Sequence, residues 1–126
     1  VRWFAVLQGA GVTLQFGDAS HALTTASPPF MFDGAAAPRA ILTQGPTDDV
    51  NLMLRGTPGS LVDVGSAPVK RPFALFTATE GIMTANHQTC RLVAGALLQF
   101  KQSRGSAEVQ YAGRGWWIFV DEGSRP

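Results

Sequence analysis

Every strongly apolar run in this chain is short, and glycine, proline or a polar turn ends each one. The longest, residues 3–7 and 116–120, hold five residues each, far below the roughly 20 needed for a membrane-spanning helix. Fourteen glycines and eight prolines are spread through the 126 residues without a fixed period. That pattern excludes a collagen-like or low-complexity chain and places sharp turns throughout. Segments this short bury a core only by pairing as strands, so the punctuation itself points to an all-β chain with little helix.

The runs support that reading one by one. Residues 2–7, R-W-F-A-V-L, are aromatic and β-forming on both faces and predict a buried strand. Val12, Leu14 and Phe16 alternate with Thr13 and Gln15, the period of a strand with one face in the core. His21, Leu23 and Thr25 form one face of the next short strand, which Pro28-Pro29 stops before Phe30 and Phe32 resume the core. Asp33-Gly34 marks a turn, and residues 41–43 and 50–54 read as further strands. Residues 61–64, 73–78, 89–93, 97–101, 107–111 and 116–120 continue the rhythm, with residues 103–106 connecting a hairpin and 122–126 forming a tail. About a dozen such runs favour a β-barrel or a double-sheet jelly roll, because closure or stacking buries the apolar faces. Residues 1–126 read as one domain, without a linker or a convincing short repeat.

Charge removes several functional classes. Ten basic and nine acidic residues leave a formal net charge of +1 and lie dispersed, so neither nucleic acid nor a membrane surface is an expected partner. The single cysteine, Cys90, forms no intrachain disulfide, which fits a cytoplasmic chain. His21 and His87 stand far apart without a neighbouring His-x-His or acidic ligand pattern, so no metal is expected. No phosphate-binding or dinucleotide-binding glycine pattern sits at a strand-to-helix junction, and no cofactor is expected. Glu80, His87 and Cys90 cluster in sequence, but a catalytic thiol needs a geometry that spacing alone does not supply. Trp3, Trp116 and Trp117 read as core or interface residues.

The segment Gly45-Pro46-Thr47-Asp48-Asp49-Val50-Asn51-Leu52-Met53-Leu54-Arg55 carries the most chemistry. Strand periodicity puts Asp49, Asn51, Met53 and Arg55 on one side and Val50, Leu52 and Leu54 on the other. Asp49 accepts hydrogen bonds, Asn51 donates and accepts, and Arg55 can grip a carboxylate with two parallel bonds. These three are the candidate ligand-binding residues, with Phe30 and Phe32 partly closing the site. The competing reading has Asp49 and Asn51 satisfying turn amides and Arg55 reaching into water.

The same segment resembles the glycine-proline and aspartate-aromatic-asparagine-leucine-methionine signature of the HutD family, associated with histidine utilisation. Leu7-Gln8-Gly9-Ala10-Gly11-Val12-Thr13-Leu14, Pro29-Phe30-Met31-Phe32-Asp33-Gly34 and, more weakly, Leu92-Val93-Ala94-Gly95-Ala96-Leu97-Leu98 resemble further blocks of that family. Val50 stands where the family carries an aromatic residue, and Asp48 where a basic or small one is commoner. The resemblance implies a cupin-like β-barrel, often described as a double cupin, and a small-molecule or regulatory role. The family's upstream tryptophan-lysine-asparagine-glycine-glycine block is not found in residues 1–126, which implies a truncated or divergent member.

The leading expectation is therefore a non-enzymatic cupin-like module that binds a small polar or carboxylated metabolite and acts in histidine catabolism. Two alternatives stay open: a lyase, isomerase or hydrolase using the same pocket, with Asp49 as acid or base, and a β-rich interaction protein that forms a homodimer.

Overall fold

The computed structural model describes residues 1–101 and 108–121; the expected connection at 103–106, the start of the following strand at Ala107 and the tail at 122–126 lie outside the described residues. The chain divides into two compact units, Val1–Pro58 and Gly59–Pro126. Both are built from antiparallel strands, and the only helical turn among the described residues is a 3-10 turn at Gly34–Ala36. Asp33 caps that turn by accepting the Ala35 N–H at 3.0 Å, as the Asp-Gly signal predicted. No helix among the described residues is long and apolar enough to cross a membrane.

The first unit holds β1 (Arg2–Gln8), β2 (Val12–Phe16), β3 (Ala19–Leu23), β4 (Phe30–Phe32), β5 (Arg39–Leu42) and β6 (Asp48–Met53). They form two three-stranded sheets, ordered β4-β1-β6 and β3-β2-β5. Alternation decides the interior: Phe4 and Val6 of β1 meet Val12 and Leu14 of β2 and Leu23 of β3 in one buried cluster, with Phe16, Phe30 and Phe32 packed against it. Gly9 lets the β1–β2 connection approach the glycine-proline segment. Its φ is +115°, and a Cβ there would lie 2.8 Å from the Pro46 carbonyl oxygen, so a side chain is excluded on both counts.

The second unit holds β7 (Gly59–Asp63), β8 (Val69–Lys70), β9 (Ala74–Thr77), β10 (Gly81–Ala85), β11 (Gln88–Leu92), β12 (Leu97–Gln99), β13 (Glu108–Ala112) and β14 (Gly115–Val120). Its sheets are ordered β11-β10-β13-β8 and β12-β9-β14-β7. Leu75, Val109, Tyr111 and Trp117 form its buried cluster, with Met83, Phe100 and Phe119 among the side chains packed against it. The architecture is all-β and of open double sheets, as in a cupin-like jelly roll.

The two units share a topology. β1 lies between β4 and β6, and β9 lies between β12 and β14; β2 lies between β3 and β5, and β10 lies between β11 and β13. The hairpins β2–β3 and β10–β11 each pair five residues across a two-residue turn. No short sequence repeat announces this, because strand order follows from hairpin and connection lengths while the side chains that fill each interior differ.

Two strands lie outside the runs read from sequence. β8 pairs only Val69 and Lys70, too few residues for a period. β10 ends at Asn86-His87, where φ is +53° and +63°, a type I′ pattern that usually advertises itself with glycine. The run expected through Thr25 stops at Leu23, because Thr24 and Ser27 close a turn: Thr24 N–H donates to Ser27 Oγ at 2.9 Å and Ser27 N–H to the Thr24 carbonyl at 3.1 Å.

Gly81 shows how tightly the second unit is packed. A Cβ there would run into the Ala112 carbonyl oxygen and the Tyr111 ring, and Tyr111 is itself held by a 2.7 Å bond from its hydroxyl to the Thr79 carbonyl. Gly81→Ala is expected to cost about 2 kcal/mol or more by overpacking, read as a lower urea midpoint; an unchanged midpoint would show that β10 can shift.

Candidate functional site

The site is assembled by the register of β1. Arg2 stands opposite Phe32 on β4 and Met53 on β6, Phe4 opposite Phe30 and Asn51, and Val6 opposite Asp49. Residues directly opposite in an antiparallel pair project from the same face. Phe4 and Val6 belong to the buried cluster, so Arg2, Phe30, Phe32, Asp49, Asn51 and Met53 all project from the core-facing side. Val50 and Leu52 occupy the other face, opposite Ala5 and Trp3. The side of β6 that carries Asp49 and Asn51 is thus the side turned toward the interior of the two-sheet unit.

Asp49 and Asn51 nevertheless remain exposed. β6 is an edge strand, and water reaches its inward side chains there, which avoids the several kcal/mol that burying an unpaired carboxylate costs. Asp49 Oδ2 accepts the Thr47 hydroxyl at 3.2 Å. Asn51 Oδ1 accepts two bonds from Arg2, from Nε at 3.2 Å and Nη2 at 3.0 Å. Because arginine only donates, this pair fixes the orientation of the amide and leaves its Nδ2 as a donor.

Arg2 is gripped from a second side. Its guanidinium carbon lies 5.5 Å from the Phe32 ring centroid, within cation–π range. Phe32 belongs to an aromatic wall: Phe16 meets it edge-on at 5.3 Å, Phe30 stacks on it at 6.0 Å, and the His21 ring lies 4.4 Å from Phe30. His21 comes from β3 in the facing sheet, opposite Leu14. The arrangement joins a held cation, an amide donor and a flat aromatic surface on one exposed face.

Of the residues singled out from sequence, the fold brings Asn51, Phe30 and Phe32 together around Arg2 and places Asp49 one inward step further along β6. Arg55 sits apart, two residues past the end of β6, in an open cleft of about 380 Å³ lined also by Arg2, Asp33, Met53 and Leu54. Arg2 and His21 carry no site signal in the sequence. The parity of Arg2 with Phe4 and Val6 was legible, but its neighbours became known only through strand register. Among the described residues no three His, Cys, Asp or Glu side chains group as a metal ion would need. Cys90 Sγ meets the Arg91 carbonyl at 3.7 Å, not His87 or Glu80.

The HutD family model matches residues 1–117. The chain belongs to the HutD family. No curated protein and no solved structure matches it. HutD membership associates the chain with histidine utilisation and a cupin-like role. The family blocks recognisable in the sequence map onto adjoining pieces of the first unit: the glycine-rich connection at Gly9 packs on the Pro46-Thr47 backbone, and the Phe30–Phe32 and Asp49–Asn51 positions flank the same central strand.

The perturbed acids lie in the second unit. Burial pushes the Tyr111 hydroxyl above its ordinary pKa, and the Glu80 charge adds to this. Burial likewise raises Asp63 above its ordinary 3.8, with the Trp116 indole and the Arg114 guanidinium pulling it partly back. Trp116 Nε1 is buried without a partner in hydrogen-bond geometry, so it acts on Asp63 as a nearby dipole rather than through a formed bond. The folded state of Asp63 therefore holds its proton more firmly than the unfolded chain. Its contribution is fully present below pH 3.8 and is lost as pH rises through the raised value. Asp63→Asn is expected to gain stability relative to the parent as pH rises above 3.8; a stability difference that does not change as pH rises would contradict the assignment.

Proposed function

We propose that the chain is a non-enzymatic, cytoplasmic binding module for a small polar, carboxylated metabolite, acting in the regulation of histidine catabolism. One observation carries the reading. The inward residues of β6 are Asp49, Asn51 and Met53, two of them polar, whereas β14, which holds the same place in the second unit, turns Trp117 and Phe119 into a filled core. The matching strands thus differ in kind: β14 turns aromatic rings into its core, and β6 keeps polar groups in contact with water. Polar side chains on a core-facing sheet side give up packing that apolar residues would supply, and a ligand that hydrogen-bonds them accounts for that choice.

The chemistry suits the ligand class. Arg2, pre-oriented by Asn51 and Phe32, offers its free N–H edge to a carboxylate, and Asn51 Nδ2 offers a further donor. Phe30 and His21 present a flat surface for an unsaturated or imidazole ring. The free thiol of Cys90 is exposed, consistent with a reducing compartment. A second reading, pairing of two copies, draws on the open sheet edges and on Ile41 and Leu42, exposed on edge strand β5; a particle that stays monomeric over a wide concentration range would remove it.

Thermal unfolding with a panel of imidazole-containing and glutamate-like metabolites tests the module. A ligand present at 100 times its Kd is expected to stabilise the fold by about 2.7 kcal/mol. Asn51→Ala is expected to weaken that ligand about tenfold or more, because it removes a direct donor and frees Arg2. Stabilisation by no member of the panel would reject the proposal.

A further inference from the structure

The cleft beside the aromatic wall contains two guanidinium groups and a single carboxylate. Arg2 and Arg55 line it together with Asp33, Met53 and Leu54. Asp33 accepts the Ala35 N–H through Oδ1 at 3.0 Å, which leaves one carboxylate against two guanidinium groups. The Val1 nitrogen, also at this cleft, donates to the Leu54 carbonyl at 3.2 Å. Arg2 is held by Asn51 and Phe32, both neutral. Among the described residues neither arginine forms an ion pair, so the cleft presents more positive than negative charge to an incoming molecule.

The fold brings the two cations to one cleft. Arg2 pairs directly with Met53, and Arg55 follows Met53 by two residues, in the bend that leaves β6. The Met53 side chain, 70% exposed, lines the same cleft. The cleft therefore carries two cations and an exposed apolar side chain. We propose that this cleft selects a short dicarboxylate, one carboxylate bidentate on Arg2, the other on Arg55, and the intervening carbons lying on Met53. The inference rests on the metabolite-binding reading above and narrows it: Arg2 with Asn51 recognises the carboxylate common to any ligand of the class, and Arg55 decides between a monoanion and a dianion.

Titration calorimetry on the 126-residue chain at low ionic strength, with glutarate, glutaric acid monoamide and inorganic phosphate as probes, separates the possibilities. Glutarate is expected to bind about tenfold or more tighter than the monoamide, the scale of one charge-assisted bidentate contact. Arg55→Gln is expected to bring glutarate down to the affinity of the monoamide and to leave the monoamide unchanged. Arg2→Gln is expected to weaken both. Arg55 lies outside any strand, so its replacement leaves the sheet register intact, and an unchanged melting temperature of the unliganded variant checks this. Equal affinity for glutarate and its monoamide overturns the two-cation clamp while leaving the module reading in place. Preference for phosphate also overturns it, in favour of a single-centre anion site. Binding of neither carboxylate, together with no response to the metabolite panel, overturns both readings.

Discussion

Each unit of this protein has to fill the space between two short sheets, and the central strand of one sheet decides how that is done. β1 and β9 are each paired on both sides, so their register sets which residues of both flanking strands face inward. In the second unit this places Trp117 directly opposite Leu75, and the two are almost wholly buried with Tyr111 and Val109. In the first unit the same kind of register places Asn51 opposite Phe4 and Asp49 opposite Val6. Apolar filling from β2 and β3 reaches Phe4 and Val6, and the β6 side is left to polar groups in contact with water. The filled core and the polar face are two outcomes of one constraint.

The polar face owes its order to charge-assisted contacts rather than burial. Arg2 donates two bonds to one amide oxygen and lies against an aromatic ring, contacts that together outweigh the cost of holding a long side chain still. An arginine restrained in this way loses less entropy when a carboxylate arrives than one moving freely in water. The aromatic wall of Phe16, Phe30, Phe32 and His21 does two things at once: it closes one end of the core and offers a stacking surface beside the cation. Arg55 has no such support, which suits a group that discriminates between ligands more than one that anchors them.

Much of this was legible in the residues. The strands from 2–7, 12–16 and 116–120 followed from alternation and β-forming composition, and the Asp33-Gly34 turn from its side-chain chemistry. The polar face of residues 49, 51 and 53 followed from the two-residue period alone, and the family resemblance from the glycine-proline segment. β10 escaped because its hairpin turns on Asn86-His87, residues that adopt positive φ without announcing it. The repeated topology escaped because two cores can share strand order while sharing almost no side chains.

The local pattern thus determined that the chain is all-β, where most of its strands run, and that one strand presents Asp49 and Asn51 from a single face. Those properties depend on residues two positions apart, and strand geometry is the same wherever it occurs. Tertiary structure alone decided that this face turns inward, that Arg2 and His21 join it from strands some 50 and 30 residues away in sequence from Asn51, and that Arg55 lies off the strand in a cleft beside Arg2. Register and sheet pairing bring distant residues together, and a one-residue change in either would turn the same side chains to the opposite face. No local period carries that information.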